Sequence, residues 1–165
     1  MPHLIGESYT TMQKADVIAA IIAALTDQRD HAAAAADQAR ETATSKENIA
    51  ENKYDTLGLE AAYLAHGQST RVQQLTGEIA AFSAMLDLQP ADSVRPGSLV
   101  GLEDDCGNLR WLFIGRGAAG LKVTVELTEI FVVTPESPAG QGLTGLNVGE
   151  VVCLGQTEYA LHSLI

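Results

Sequence analysis

Between Ser8 and about Thr42 the chain contains neither Gly nor Pro, and Ile18, Ile21, Leu25, Gln28, Ala32, Ala35 and Ala39 recur at alternating steps of three and four. That is the period of a helix with one buried seam, and heptad spacing predicts a partner helix along it. A second stretch repeats the pattern with Leu57, Ala61, Leu64, Gln68, Leu75, Ile79, Phe82 and Leu86. It closes at Gln89, because the ring of Pro90 disfavours helical backbone at the residue before it. A short link cannot carry the chain back for parallel pairing, so residues 8–89 read as an antiparallel helical hairpin. Arms of about 33 residues, rising about 1.5 Å each, would reach roughly 50 Å. The hairpin's own stability does not require that length. Ile, Leu and Phe thicken the base, while alanines predict a thin rod toward the tip. Gly58, Gly67 and Gly77 each weaken the second helix by up to about 1 kcal/mol and read as points of close helix approach.

"DLQPADSVRPG", Asp87 to Gly97, breaks the periodicity, and residues 90–97 are the expected linker. Beyond it the period changes to two. "SLVGLED", "LRWLFIG", "LKVTVELTEIFVV", "EVVCLG" and "YALHSLI" read as strands, rich in β-branched and aromatic residues. Trp111, Phe113, Phe131 and Tyr159 lie on them as core residues. Between the third and fourth runs, Ser137 followed by Pro138 reads as the N-cap and first position of a short helix. The expected fold class is α+β: the coiled-coil hairpin, then a small, mostly antiparallel β domain with one short helix over residues 98–165.

The 165 residues are 46% apolar, enough for a buried core. The formal charge of −11 is spread along the chain, with 6 Lys+Arg against 12 Asp+Glu in residues 1–90 and 4 against 9 in residues 91–165. No cluster of basic residues is available to neutralise several phosphates, so direct nucleic-acid binding is expected to be weak or absent and DNA is not an expected partner. Cys106 and Cys153 form no CxxC pair and read as buried thiols of a reduced, cytoplasmic protein. No apolar run approaches the roughly 20 residues of a membrane-spanning helix. His3, His31, His66 and His162 lack partners at metal-ligand spacing and read as incidental. Ser137 lacks a GxSxG elbow and reads as a cap, not a nucleophile.

"VVTPESPAGQGLTGLNVGEVV", Val132 to Val152, is the most specific stretch. It resembles the C-terminal signature of the GreA/GreB family of bacterial transcription elongation (transcript cleavage) factors, in which a strand leads into "SP.G.AL.G...GD.V". Ser137, Pro138, Gly140, Gly145 and Gly149 match the family positions, Leu143 takes the Leu place, and Glu150 stands for the common Asp. "AENKYDTLGLEAAYLA", from Ala50, is similar to the family's "SENAEYHAAKE" at the hairpin tip, with Glu51 and Asn52 as its Glu-Asn pair and Tyr54 near its Tyr. The resemblance implies an FKBP-like C-terminal domain and a hairpin that enters the secondary channel of bacterial RNA polymerase. There tip acids would help hold the second Mg²⁺, so that the polymerase cleaves backtracked RNA. By the resemblance the chain is not an enzyme, binds no cofactor alone, and acts on the Mg²⁺ of its partner. Mg²⁺ prefers hard oxygen ligands and usually takes one or two carboxylates.

The implied tip acids are Glu51 and Glu47, with Asn48, Asn52, Tyr54 and Asp55 as neighbouring contacts. Pro135, Ser137, Pro138 and Gly140 mark the implied docking loop. Asn48 stands where the family's first acid falls. Glu47 is one residue away, and on a helix Glu47, Glu51 and Asp55 would share one face. "TSKE" is also a capping-box pattern, with Thr44 as N-cap and Glu47 at the third position. Asp55 also reads as part of a solvated face. Three other functions fit the same chain: a non-cleaving channel regulator of initiation or pausing, a coiled-coil oligomerisation module with a peptide-binding β domain, and a prolyl isomerase.

Overall fold

The computed structural model describes residues 12–45 and 56–165. Helix α1 (Lys14–Thr44) and helix α2 (Leu57–Ala84) lie against each other, and α2 tightens into a 3₁₀ turn at Met85–Asp87. Arg40 donates to the Ser69 hydroxyl at 2.6 Å, and Arg71 donates to the side-chain carbonyl of Gln28 at 3.3 Å. One residue number falls as its partner's rises, so the pair is antiparallel. With 31 residues in α1, the rod is about 46 Å long.

The seam differs in detail from the sequence reading. In α1 it buries Val17, Ile18, Ile21, Leu25, Ala32, Ala36 and Ala39, leaving Gln28 and Ala35 exposed. In α2 it buries Ala61, Ala65, Leu75 and Phe82, with Gln68, Val72 and Ile79 half-buried. Leu57, Leu64 and Leu86 are about half exposed, at 50%, 55% and 49%. Near the tip the contact is alanine on alanine, and close approach there admits only the small side chains; Gly67 and Gly77 do not mark it, since a Cβ at either would meet nothing within 4 Å. Ala65 therefore faces the partner helix and its neighbour Leu64 turns outward; at the base Met85 replaces Leu86.

Six strands follow: β1 (Leu99–Glu103), β2 (Leu109–Ile114), β3 (Lys122–Val125), β4 (Thr128–Val133), β5 (Val151–Leu154) and β6 (Thr157–Leu164), with the short helix α3 (Pro138–Leu143) between β4 and β5. They form one sheet in the order β3-β4-β2-β1-β6-β5. All neighbours are antiparallel except β2 and β4, which run parallel with Trp111 opposite Ile130 and Phe113 opposite Val132. The expected third strand is two strands, because the chain reverses at Glu126-Leu127. Both residues take left-handed backbone, φ 48° and 66°, which a two-residue primed hairpin turn requires.

The sheet is covered on both faces. One core joins Leu99, Phe113, Val123, Ile130 and Val132 to Val17, Ile18, Ile21, Leu25, Leu75, Phe82 and Met85 of the hairpin base. The other joins Val100, Leu102, Leu112 and Ile114 to Leu143 of α3, Val152 and Leu161. Alternation along β1 and β2 sends successive residues to opposite cores, as a period of two demands. Phe113 is fully buried, while Trp111, Phe131 and Tyr159 are half-buried at the edges of these cores. Both thiols are exposed, not buried as expected. Cys106 falls in the β1–β2 turn, and Cys153 takes an outward position on the edge strand β5.

The segment 90–97 is tied at Val94 to the loop that follows α3. The Val94 amide donates to the Leu146 carbonyl at 2.8 Å, the Gly145 amide donates to the Val94 carbonyl at 2.9 Å, and Val94 is buried. The same segment runs beside the start of α1, where burial and then the charge of Arg95 push the Lys14 ammonium below its ordinary pKa.

Candidate functional site

The tip candidates Glu47, Asn48, Glu51, Asn52, Tyr54 and Asp55 lie outside the described residues. What the structure supplies is their mount. The Thr44 hydroxyl donates to the Arg40 carbonyl at 2.9 Å, one turn back, so Thr44 belongs to the last turn of α1. It is not the N-cap that the capping-box reading assigned to it. Helix α2 resumes after Thr56, whose hydroxyl donates to Glu60 at 3.3 Å. Between these ends Arg40 bridges the two helices, bonded to Asp37 at 2.7 Å on its own helix and to Ser69 on the other.

The flank of α2 beside the tip is apolar and exposed. Leu59, Tyr63 and Leu64 are 57%, 70% and 55% accessible, although no seam position demands a large side chain there. The heptad spacing puts Leu64 in the seam and so hides this patch; Leu59 and Tyr63, one helical turn apart, are its signal in the sequence.

At the other end of the molecule the motif residues lock a turn. The Ser137 hydroxyl donates to the Thr134 carbonyl at 2.7 Å and accepts from the Gly140 amide at 3.1 Å, the N-cap expected from the sequence. A Cβ at Gly140 would overlap the Thr134 carbonyl oxygen, so this position admits only glycine. Gly145 and Gly149 hold left-handed backbone, φ 88° and 93°. Glu150 accepts from the Asn147 amide at 2.6 Å and closes the turn before β5. Ser137 and Gly140 are therefore spent on local structure, and Pro135 is half-buried beside them. Pro138 alone of the four docking candidates is well exposed. It borders a shallow cavity of about 380 Å³ with Arg110, Ala139, Cys153, Leu154 and Gly155. The Arg110 guanidinium lies over the Phe131 ring, 5.7 Å from its centre. No sequence signal joined Arg110 to the motif, since sheet pairing alone brings β2 near α3.

Titratable groups elsewhere serve turns and helix surfaces. Asp104 accepts from the Asn108 side chain at 3.0 Å and from the Asn108 and Cys106 amides at 2.9 Å each. These bonds, the Asn108 side chain's first, hold its carboxyl below the ordinary value of 3.8. His31 is exposed, and its bond to the Asp27 carbonyl, then the Asp27 charge, raises its pKa. Among the described residues no group of three or more His, Cys, Asp and Glu side chains could hold a metal ion. No helix among them is long and apolar enough to cross a membrane.

No protein-family model matches the chain, and no curated protein matches it. Among solved structures it is similar to GreA factor homolog 1 (Gfh1) of Thermus thermophilus, at 21% identity over 87% of this chain and 94% of that one, with a TM-score of 0.36. It is also similar to Gfh1 of Thermus aquaticus, at 22% identity over 85% of this chain and 88% of that one, with a TM-score of 0.38. Another structure of the transcription factor Gfh1 is 22% identical over 88% of this chain and 93% of that one, also with a TM-score of 0.38.

Proposed function

We propose that this chain is a Gre-type regulator of bacterial RNA polymerase, acting in the cytoplasm through a hairpin that enters the polymerase secondary channel. The observation that carries the reading is a conjunction. A rod about 46 Å long, thinned by alanine contacts toward its end, runs up to the acidic stretch of the sequence that follows Ser45, and its base packs on a sheet whose short helix α3 carries the Gre-like "SPAG" signature. A narrow rod suits delivery of a ligand set into a deep site. Glu51, with Glu47, would contribute carboxylate oxygens to the polymerase's second Mg²⁺, a metal that in such sites generates the nucleophile and stabilises in-line displacement. The sheet half would be the FKBP-like module, docking at the channel rim through the loop that carries Pro135 and Pro138. The chain would stimulate its partner's chemistry and have no turnover of its own.

Asn48, at the position of the family's first acid, favours a second reading in which the rod occupies the channel without supporting cleavage. Binding is common to both readings. Purified chain is expected to comigrate with purified bacterial RNA polymerase core on size exclusion and to be displaced by a known cleavage factor. A chain that elutes alone at micromolar concentrations of both proteins would remove polymerase as the partner.

A further inference from the structure

We infer that Gly115 is a positioning residue that sets the angle of the hairpin on the sheet, and that hairpin and sheet form one rigid unit. This rests on the junction itself and holds whether or not polymerase is the partner.

Two seats join the halves. At the base, Phe82 of α2 is fully buried and lies against Phe113 of β2, with ring centres 5.9 Å apart and the rings tilted by 39°. Two residues beyond Phe113 the chain leaves β2 at Gly115, and a Cβ there would stand 2.7 Å from the Phe82 ring. About two turns nearer the tip, Leu25 and Leu75 join the core that contains Val123 of β3. The loop between the seats passes under α2 again at Gly117, where a Cβ would meet Glu78 at 3.0 Å. The two contacts differ in kind: Phe82 is walled in by the core, whereas the Glu78 side chain can swing away. Gly115 is thus the notch that lets α2 settle on the sheet. Two seats of packed apolar side chains leave no free pivot between the halves.

Relieving 2.7 Å to an ordinary carbon contact moves α2 by about 1 Å at its base. Phe82 and Leu75 are about 10 Å apart along the helix, so the rod tilts by about 6°. Over the further 27 Å or so to the tip end of α2, the displacement grows to about 2–3 Å. A misplacement near 1 Å already matters for groups that must meet a reacting centre.

The test is a spin-label distance measurement in the full chain. Cys106→Ser leaves exposed Cys153 as the label site on the sheet, and Glu41→Cys supplies the one on the hairpin. The parent is expected to give one narrow distance distribution. Gly115→Ala is expected to shift its mean by about 2–3 Å or to broaden it visibly, the displacement following from helix rise and contact distance. Gly117→Ala should superimpose on the parent. Phe82→Leu added to Gly115→Ala should move the distribution back toward it, which general destabilisation would not do. A broad or two-peaked parent distribution would overturn the rigid unit, and this decides even if Gly115→Ala does not fold. Coincidence of Gly115→Ala with the parent would overturn the role of Gly115.

Discussion

Replacing Phe82 by Ala removes the ring at the centre of the junction and tests whether hairpin and sheet unfold together. Phe82 is fully buried and in contact with Phe113, and the space it leaves lies between a helix and a sheet that have other contacts to keep them apart. Collapse around it should be incomplete, so the loss falls in the range for buried Phe to Ala, about 3–5 kcal/mol. For a chain of 165 residues each kcal/mol is about 2–4 °C in Tm, which puts the expected fall at about 6–20 °C. Two probes report on different halves. Circular dichroism at the helical band is dominated by the hairpin, and fluorescence of Trp111, the chain's one tryptophan, reports on β2 beside the shared core. Both are expected to give one coincident urea transition in the parent, and both to move together in Phe82→Ala, as a single cooperative unit requires. A helical transition that shifts while Trp111 fluorescence keeps its parent midpoint would refute the shared core.

Three further outcomes follow from single contacts. Ser137→Ala should lose about 1 kcal/mol with the N-cap bond, whereas Gly140→Ala, which must displace the Thr134 carbonyl, should lose more than Ser137→Ala; urea midpoints of the two variants rank them. Replacing Glu126-Leu127 by Asn-Gly should stabilise the chain by about 1–2 kcal/mol, since both positions are left-handed and Leu127 is 98% exposed; an unchanged or lower midpoint would contradict this. Asp104, its pKa lowered by folding, contributes stability that is complete above the ordinary 3.8 and is lost as pH falls through its lower folded value; NMR titration of the Cys106 and Asn108 amides should show a midpoint below 3.8.

Much of this architecture is legible in the sequence because its signals are periodic or punctual. Long Gly-free heptads announce α1, Pro90 lies just past the 3₁₀ turn that ends α2, and Ser137-Pro138 marks the cap and first residue of α3. The errors have a common cause, which is that position on a face depends on the partner. Leu64 is more apolar than Ala65, yet Ala65 takes the seam because the helices come close. Cys153 has the composition of a core residue and lies exposed on an edge strand, since nothing in "EVVCLG" says which strand ends the sheet. The two-residue reversal at Glu126-Leu127 lacks the Asn or Gly that marks such turns, so the stretch reads as one long strand. In the candidate docking loop, Ser137 and Gly140 stand out in the sequence. Their speciality is the local lock they form, while exposed Pro138 and Arg110 are joined only by the folded sheet.

The most direct test is transcript cleavage in a halted, backtracked elongation complex of bacterial RNA polymerase with Mg²⁺, comparing the parent with Glu51→Ala and Glu47→Ala. The parent is expected to shorten the RNA and Glu51→Ala to leave it intact, while Glu51→Ala still competes with a known cleavage factor. A parent that leaves the RNA at full length would contradict delivery of tip acids to the metal, and one that also fails to compete would contradict entry into the channel.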